Sequence, residues 1–106
     1  MPVTFDVQVR WADGKQRRGK ATFAAEVVSA VAGERHIALR YADLTRIMFD
    51  GRWLRLADTR GEVTLQVLRR WPRTSRRRTE ALARVLQPLA GRPGAQLAEE
   101  ALADLS

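Results

Sequence analysis

The chain has 106 residues, 45% of them hydrophobic, and a net charge of +7 from 19 basic and 12 acidic side chains. That length suits one domain with a core of its own, and the hydrophobic content argues against wholesale disorder. Cysteine is absent and no apolar run resembles a signal-peptide core or reaches membrane-spanning length, so disulfides, thiolate metal sites, export by that route and membrane spans are excluded, and a cytoplasmic location is expected.

Val3, Phe5, Val7, Val9 and Trp11 alternate with polar residues, which places the apolar side chains on one face of a half-buried strand. Asp13-Gly14 follows as a hairpin signal, because glycine accepts the positive φ of a tight turn. A polar, basic stretch from Lys15 to Lys20 leads into Ala21. Residues 21–32 admit two readings. Phe23, Ala25, Val27 and Val31 fit a period of two; Phe23, Val27, Val28 and Val31 also fit a helix capped by Thr22 and ended by Gly33. The β-branched valines and the neighbouring strands favour β structure.

Ile37, Leu39 and Tyr41 share the next face, and Asp43 begins a turn. Ile47 and Phe49, then Leu54 and Leu56, then Val63, Leu65 and Val67 form further inward sets, separated by Asp50-Gly51 and by Asp58 to Gly61. Trp71-Pro72 ends the strand region, since proline cannot donate a ladder hydrogen bond. Thr74 or Ser75 is placed to cap a helix whose stripe is Leu82, Val85, Leu86 and Leu89, and Pro88 should kink or end it near Gln87. After Gly91, Pro93 and Gly94, a short acidic helix is predicted from Gln96 to Leu105. The expected fold is mainly β: a two-sheet barrel or sandwich of six or seven antiparallel strands, capped by a C-terminal helix, with a short extra helix at the end. One domain covers 1–106, with a β region over 3–72, a capping helix over 74–90 and the acidic helix over 95–105.

The pattern Ile37-x-Leu39-x-Tyr41-x-x-Leu44-x-x-Ile47, then Trp53-Leu54-Arg55-Leu56, then Gly61-Glu62-Val63-Thr64-Leu65, resembles the second half of a bacterial pleckstrin-homology-like (PH-like or GRAM-like) domain. The resemblance extends over residues 3–89 and implies two near-orthogonal antiparallel sheets, seven strands, and a C-terminal helix over one open end. It implies a binding or adaptor module. A LytTR-type DNA-binding domain has a similar strand series over 36–89, but continues after its helix with strands and a basic-aromatic segment where this chain has an acidic helix.

Two basic clusters are the candidate anion-binding sites. Arg10, Lys15, Arg17, Arg18 and Lys20 surround the Asp13-Gly14 hairpin, where cations on a tight turn can converge on phosphate oxygens. Arg10-x-x-x-x-Lys15-Gln16-Arg17 resembles the basic pattern of lipid-binding pleckstrin-homology domains, with arginine in place of the more usual first lysine. The competing reading is a solvated hairpin kept soluble by charge. Arg69, Arg70, Arg73, Arg76, Arg77 and Arg78 form the second cluster without an acid among them, at a helix N-terminus where the macrodipole disfavours cations. Glu99, Glu100 and Asp104 on the tail are placed to fold back and neutralise it. All basic residues except Lys15 and Lys20 are arginine, a bias common in GC-rich bacterial genomes, so arginine richness alone says little about phosphate.

No histidine, serine or carboxylate arrangement has catalytic or metal-ligating spacing. His36 is the sole histidine and reads as a surface strand residue, and Asp43 and Asp50 read as turn residues. Neither an enzyme nor a cofactor is expected. The partner reading is a protein or an anionic, phosphate-bearing surface, with nucleic-acid backbone as the alternative. Trp11, Trp53 and Trp71 are candidate base-stacking residues under that alternative and core residues otherwise. A third reading is a homodimer through the C-terminal helix.

Overall fold

The computed structural model describes residues 1–70 and 72–105. Alternation along the chain builds antiparallel strands in one curled half-barrel sheet: β1 (Val3–Trp11), β2 (Gln16–Phe23), β3 (Val27–Ala32), β4 (Arg35–Arg40), β5 (Arg46–Phe49), β6 (Leu54–Ala57) and β7 (Glu62–Arg70), with β8 (Arg73–Thr74) folded back on β7. The order β4-β3-β2-β1-β7-β6-β5 joins a four-strand meander to a three-strand meander through the β1–β7 pair. A C-terminal helix, α1 (Arg76–Leu86), runs on through a 3-10 turn at Gln87–Leu89, and a short helix, α2 (Glu100–Ala103), follows.

The mainly β, helix-capped architecture is the expected one, with eight strands among the described residues where six or seven were predicted. The extra pairing has two sources. The basic stretch after the first turn is itself strand, with Arg10 opposite Gln16 and Gln8 opposite Arg18. Arg73 and Thr74 then pair with Arg70 and Leu68. Residues 21–32 are strand, interrupted by a turn that the Ala24 N–H closes on the Val27 carbonyl at 2.9 Å. Gly19 permits the tight coil between β2 and β3, because a Cβ there would collide with the Val31 carbonyl oxygen.

Odd-numbered β1 and β2 residues face inward, and Phe5 meets Phe23 edge to face at 5.8 Å. Leu39, Leu54, Leu56, Val63, Leu65 and Val67 complete the sheet's inner lining. Thr64 and Gln66, on the opposite face of β7, are also buried. Arg10 lies opposite Thr64 in register and stacks its guanidinium 4.4 Å from the Trp53 ring, so this outer row is roofed by amphipathic side chains.

Helix α1 seals one end. Ser75 Oγ accepts from the Arg78 N–H at 3.1 Å, the capping bond its sequence position predicts. Beyond the last β6 pair, Val67 finds partners on this helix entrance: its carbonyl accepts from the Ser75 N–H at 2.7 Å, and its N–H donates to Thr79 Oγ1 at 3.0 Å. Thr79 in turn donates to the Ser75 carbonyl at 2.7 Å, while Leu82 and Leu86 fill the space beneath. The α-helix ends at Leu86, two residues before Pro88, which sits in the 3-10 turn.

The acidic helix is shorter than predicted, spanning Glu100–Ala103 rather than Gln96 to Leu105. Leu97 is buried and its N–H donates to the Ala25 carbonyl at 2.6 Å, which holds that part of the tail against the β2–β3 turn and out of a helix. Tyr41 anchors the same region. Its hydroxyl donates to the Ala24 carbonyl at 2.8 Å, its carbonyl accepts from the Gly91 N–H at 2.9 Å, and burial pushes its phenol pKa well up, with the Glu99 carboxylate adding to the shift.

Candidate functional site

The open end of the sheet lies at the far end of β7 from α1. Val63, early in β7, pairs with Trp11, whereas Val67 is bonded to the helix entrance. The β1–β2 and β3–β4 turns both project there, because Arg10 pairs with Gln16 and Ala32 with Arg35. Between them is a cleft of about 560 Å³ lined by Trp11, Lys15, Gln16, Arg17, Ala32, Gly33, Glu34 and Arg35.

Local chemistry fixes its walls. Gly14 takes φ +88°, and Asp13 Oδ1 accepts from the Lys15 N–H at 3.0 Å, tightening the first turn. Asp13 Oδ2 accepts from Arg35 Nη2 at 2.6 Å, tying the two turns together. The Arg35 bond and the Lys15 N–H hold the Asp13 carboxyl down from 3.8 to about 2, so it is ionised under all ordinary conditions. Arg35 also lies 5.8 Å from the Trp11 ring, and the Arg17 guanidinium packs on Gly33, where any Cβ would strike it. The result is a cradle with Lys15, Arg17 and Arg35 as its cations and Glu34 as its acid.

Of the first predicted cluster, the fold brings Lys15 and Arg17 to this cleft. It does not bring Arg10, Arg18 or Lys20. Arg10 covers Trp53, Lys20 pairs with Asp6 at 3.1 Å, and Arg18 stands opposite Gln8 on the outer row. Their even numbering puts them on the outer face of the sheet, opposite the buried row of Phe5, Val7 and Val9. Sequence reasoning missed Arg35 and Trp11 as neighbours of the basic turn. The signal was the Gly33-Glu34-Arg35 turn, but its position beside Asp13 depends on the β2–β3 register.

The second cluster also divides. Arg69, Arg77 and Arg78 share a cleft of about 550 Å³ with Ser75, Ala81, Asp104 and Leu105. Arg76 points instead towards the β5–β6 turn at Gly51, and Arg70 and Arg73 are exposed on the β7–β8 hairpin. The tail acids part company too. Glu99 and Glu100 line a separate cleft with Met1 and Thr4, Glu99 facing the Met1 amine at 3.5 Å, and of the three only Asp104 reaches the arginine cleft. Ion pairs among the described residues join Met1 to Glu99, Lys20 to Asp6, Arg35 to Asp13 and Arg84 to Glu80; none involves the six clustered arginines.

Trp11 and Trp53 are half-buried, each with a guanidinium over its ring, and Trp71 lies outside the described residues. His36 is exposed on β4. Among the described residues, no helix is long and apolar enough to cross a membrane. No family model matches the chain, and neither a curated protein nor a solved structure matches it.

Proposed function

We propose that the chain is a non-catalytic, PH-like binding module that takes an anionic, phosphate-bearing surface at the open mouth of its sheet. The observation that carries this reading is the cradle itself. Two turns distant in sequence are tied together by the Asp13–Arg35 pair, and neither Lys15 nor Arg17 in the same cleft makes an ion pair within 4.0 Å among the described residues. A cleft with cationic walls concentrates anions, and pre-ordered side chains lose little freedom on binding them. The four-plus-three strand arrangement with a helix over the opposite end supports the PH-like assignment.

Nucleic-acid backbone is the competing ligand. It is less favoured because a single-strand binder needs aromatic faces open to the bases, and both described tryptophans already carry an arginine. Dimerisation through the tail is less favoured because Leu97 and Leu102 are buried within the chain.

The test is co-sedimentation with phosphatidylcholine vesicles containing phosphatidylserine or a phosphoinositide, at low and high salt. The parent should bind the anionic vesicles at low salt and lose them steeply as salt rises. Lys15→Gln with Arg17→Gln should weaken binding by roughly 30-fold, each cation at an anionic lipid surface contributing about 1 kcal/mol. A parent that ignores anionic vesicles at low salt, or a double variant that binds as the parent does, sinks the reading.

A further inference from the structure

The arginine cleft under α1 lies at the opposite end of the sheet from the mouth and has a different construction. Arg69 comes from the end of β7 and Arg77 and Arg78 from the first turn of α1, so two elements converge on one space of about 550 Å³. No ion pair within 4.0 Å engages any of the three among the described residues. Among the described residues, the one carboxylate lining the space is Asp104, delivered by a tail that buried Leu102 fixes to the body. We propose that this cleft is a second ligand site, specific for a phosphate monoester, with Asp104 as the built-in carboxylate that opposes the ligand's entry.

Charge and donor count select the monoester. Three guanidinium groups against one carboxylate leave an excess of two positive charges, which matches a dianion. A monoester presents three terminal oxygens to planar, multi-donor guanidinium forks, whereas a diester presents only two. Ser75 adds a hydroxyl: its oxygen already accepts from the Arg78 N–H, and its proton remains to donate. Like charges crowded at one helix entrance repel, and a bound dianion relieves that repulsion. Asp104 relieves part of it at longer range, so an incoming phosphate meets a carboxylate already in place. Free phosphate and a lipid headgroup ending in a monoester offer the same chemistry.

The experiment follows backbone amide shifts of the whole chain on titration with inorganic phosphate, with sulfate, and with vesicles containing either phosphatidic acid, a monoester, or phosphatidylglycerol, a diester. Phosphate should shift the amides of Arg77, Arg78 and Leu105. Its affinity should rise several-fold between about pH 5 and about pH 8, as inorganic phosphate passes from monoanion to dianion near neutral pH, while sulfate affinity stays level. Arg77→Gln with Arg78→Gln should abolish the shifts with circular dichroism unchanged. Arg69→Gln, outside the helix, should weaken them on its own and serves where the double variant fails to fold. Asp104→Asn should tighten phosphate several-fold. Phosphatidic acid binding above phosphatidylglycerol assigns the lipid source, and phosphate binding without it assigns the free source. Shifts confined to residues 15–17 and 33–35 would place phosphate at the mouth and overturn the second site. Equal affinity for monoester and diester vesicles would overturn the specificity, and an Asp104→Asn variant no tighter than the parent would overturn the opposing role of the tail. Variants at Lys15 and Arg17 leave this site intact, so the two sites fail or stand separately.

Discussion

The two basic ends of the molecule are built from the same residue type and do opposite things with it. At the mouth and along β1 and β2, cations come with company: Arg35 holds Asp13, Lys20 holds Asp6, Arg10 lies on Trp53 and Arg17 on Gly33. Under α1, six arginines between Arg69 and Arg78 have no ion pair among the described residues. The difference is made by the neighbouring strand. Register sets Asp6 opposite Lys20, and the two turns bring Asp13 to Arg35, whereas among the described residues the cleft at the helix entrance has Asp104 of the tail as its one carboxylate. A charge run therefore acquires its meaning from what the fold places beside it.

The same contrast extends to stability. The α1 end rests on apolar packing and the mouth on turn geometry, so equal truncations should have unequal costs. Leu82→Ala, at a fully buried position, should destabilise by about 2–5 kcal/mol. Arg17→Ala at the exposed mouth should stay within about 0.5 kcal/mol. Denaturant melts of both variants measure the gap, and similar midpoints would erase the distinction between an end held by apolar packing and one held by turn geometry.

A single polar contact at the α1 end gives the next effect. Thr79 is buried, accepts from the Val67 N–H and donates to the Ser75 carbonyl. Thr79→Val keeps the shape and removes both bonds, which leaves the Val67 N–H without its acceptor at the end of the sheet. The expected loss is about 1–3 kcal/mol, with faster hydrogen exchange at Val67 as the local signature. Unchanged exchange there would mean that the helix is held by its leucines alone.

These two ends were unequally legible in the sequence. Alternation from Val3 to Trp11 and the Leu82–Leu86 stripe carry period information, so the strand, the helix, the Ser75 cap and the stop before Pro88 are all readable. β2 was hidden because Gln16 to Lys20 has no apolar alternation; that part of the strand projects into water at both faces and is specified by pairing with β1. The shortened acidic helix was hidden for a similar reason, since the Leu97 bond to Ala25 is a contact between residues far apart in the chain. Of the candidate mouth site, Lys15 and Arg17 were legible as a basic turn. Trp11, Arg35 and the Asp13 link required register across four strands.

That link has a pH signature. The Asp13 carboxyl is held near 2 in the folded chain against 3.8 ordinarily, so it is depressed on folding. A depressed carboxyl contributes stability that is present above its ordinary pKa and is lost as pH falls through the folded value. The link should therefore weaken from about pH 4 downwards and be gone near about pH 2. Carboxyl shifts of Asp13 followed by acid titration should show the low midpoint, and Arg35→Gln should raise it towards the usual aspartate range. A midpoint unmoved by Arg35→Gln would assign the shift to the Lys15 N–H instead and leave the two turns unlinked.

The smallest predicted effect compares two arginines on one helix. Arg76 stands in the first turn of α1, where the aligned peptide dipoles are positive, and Arg84 stands in the last turn, where they are negative. Glutamine has nearly the same helix propensity as arginine, so replacing either residue isolates its charge. Arg76→Gln should stabilise by about 0.3–1 kcal/mol at low ionic strength. Arg84→Gln should destabilise by about 0.3–0.5 kcal/mol, since it also loses the exposed 2.9 Å pair with Glu80 one turn earlier. Both shifts should shrink as salt screens them, and thermal melts at two ionic strengths read sign and salt dependence together. A destabilising Arg76→Gln would mean that this guanidinium gains more from the turn at Gly51 than it loses to the helix entrance, and the cluster under α1 would then be structural at that position as the mouth is at Arg35.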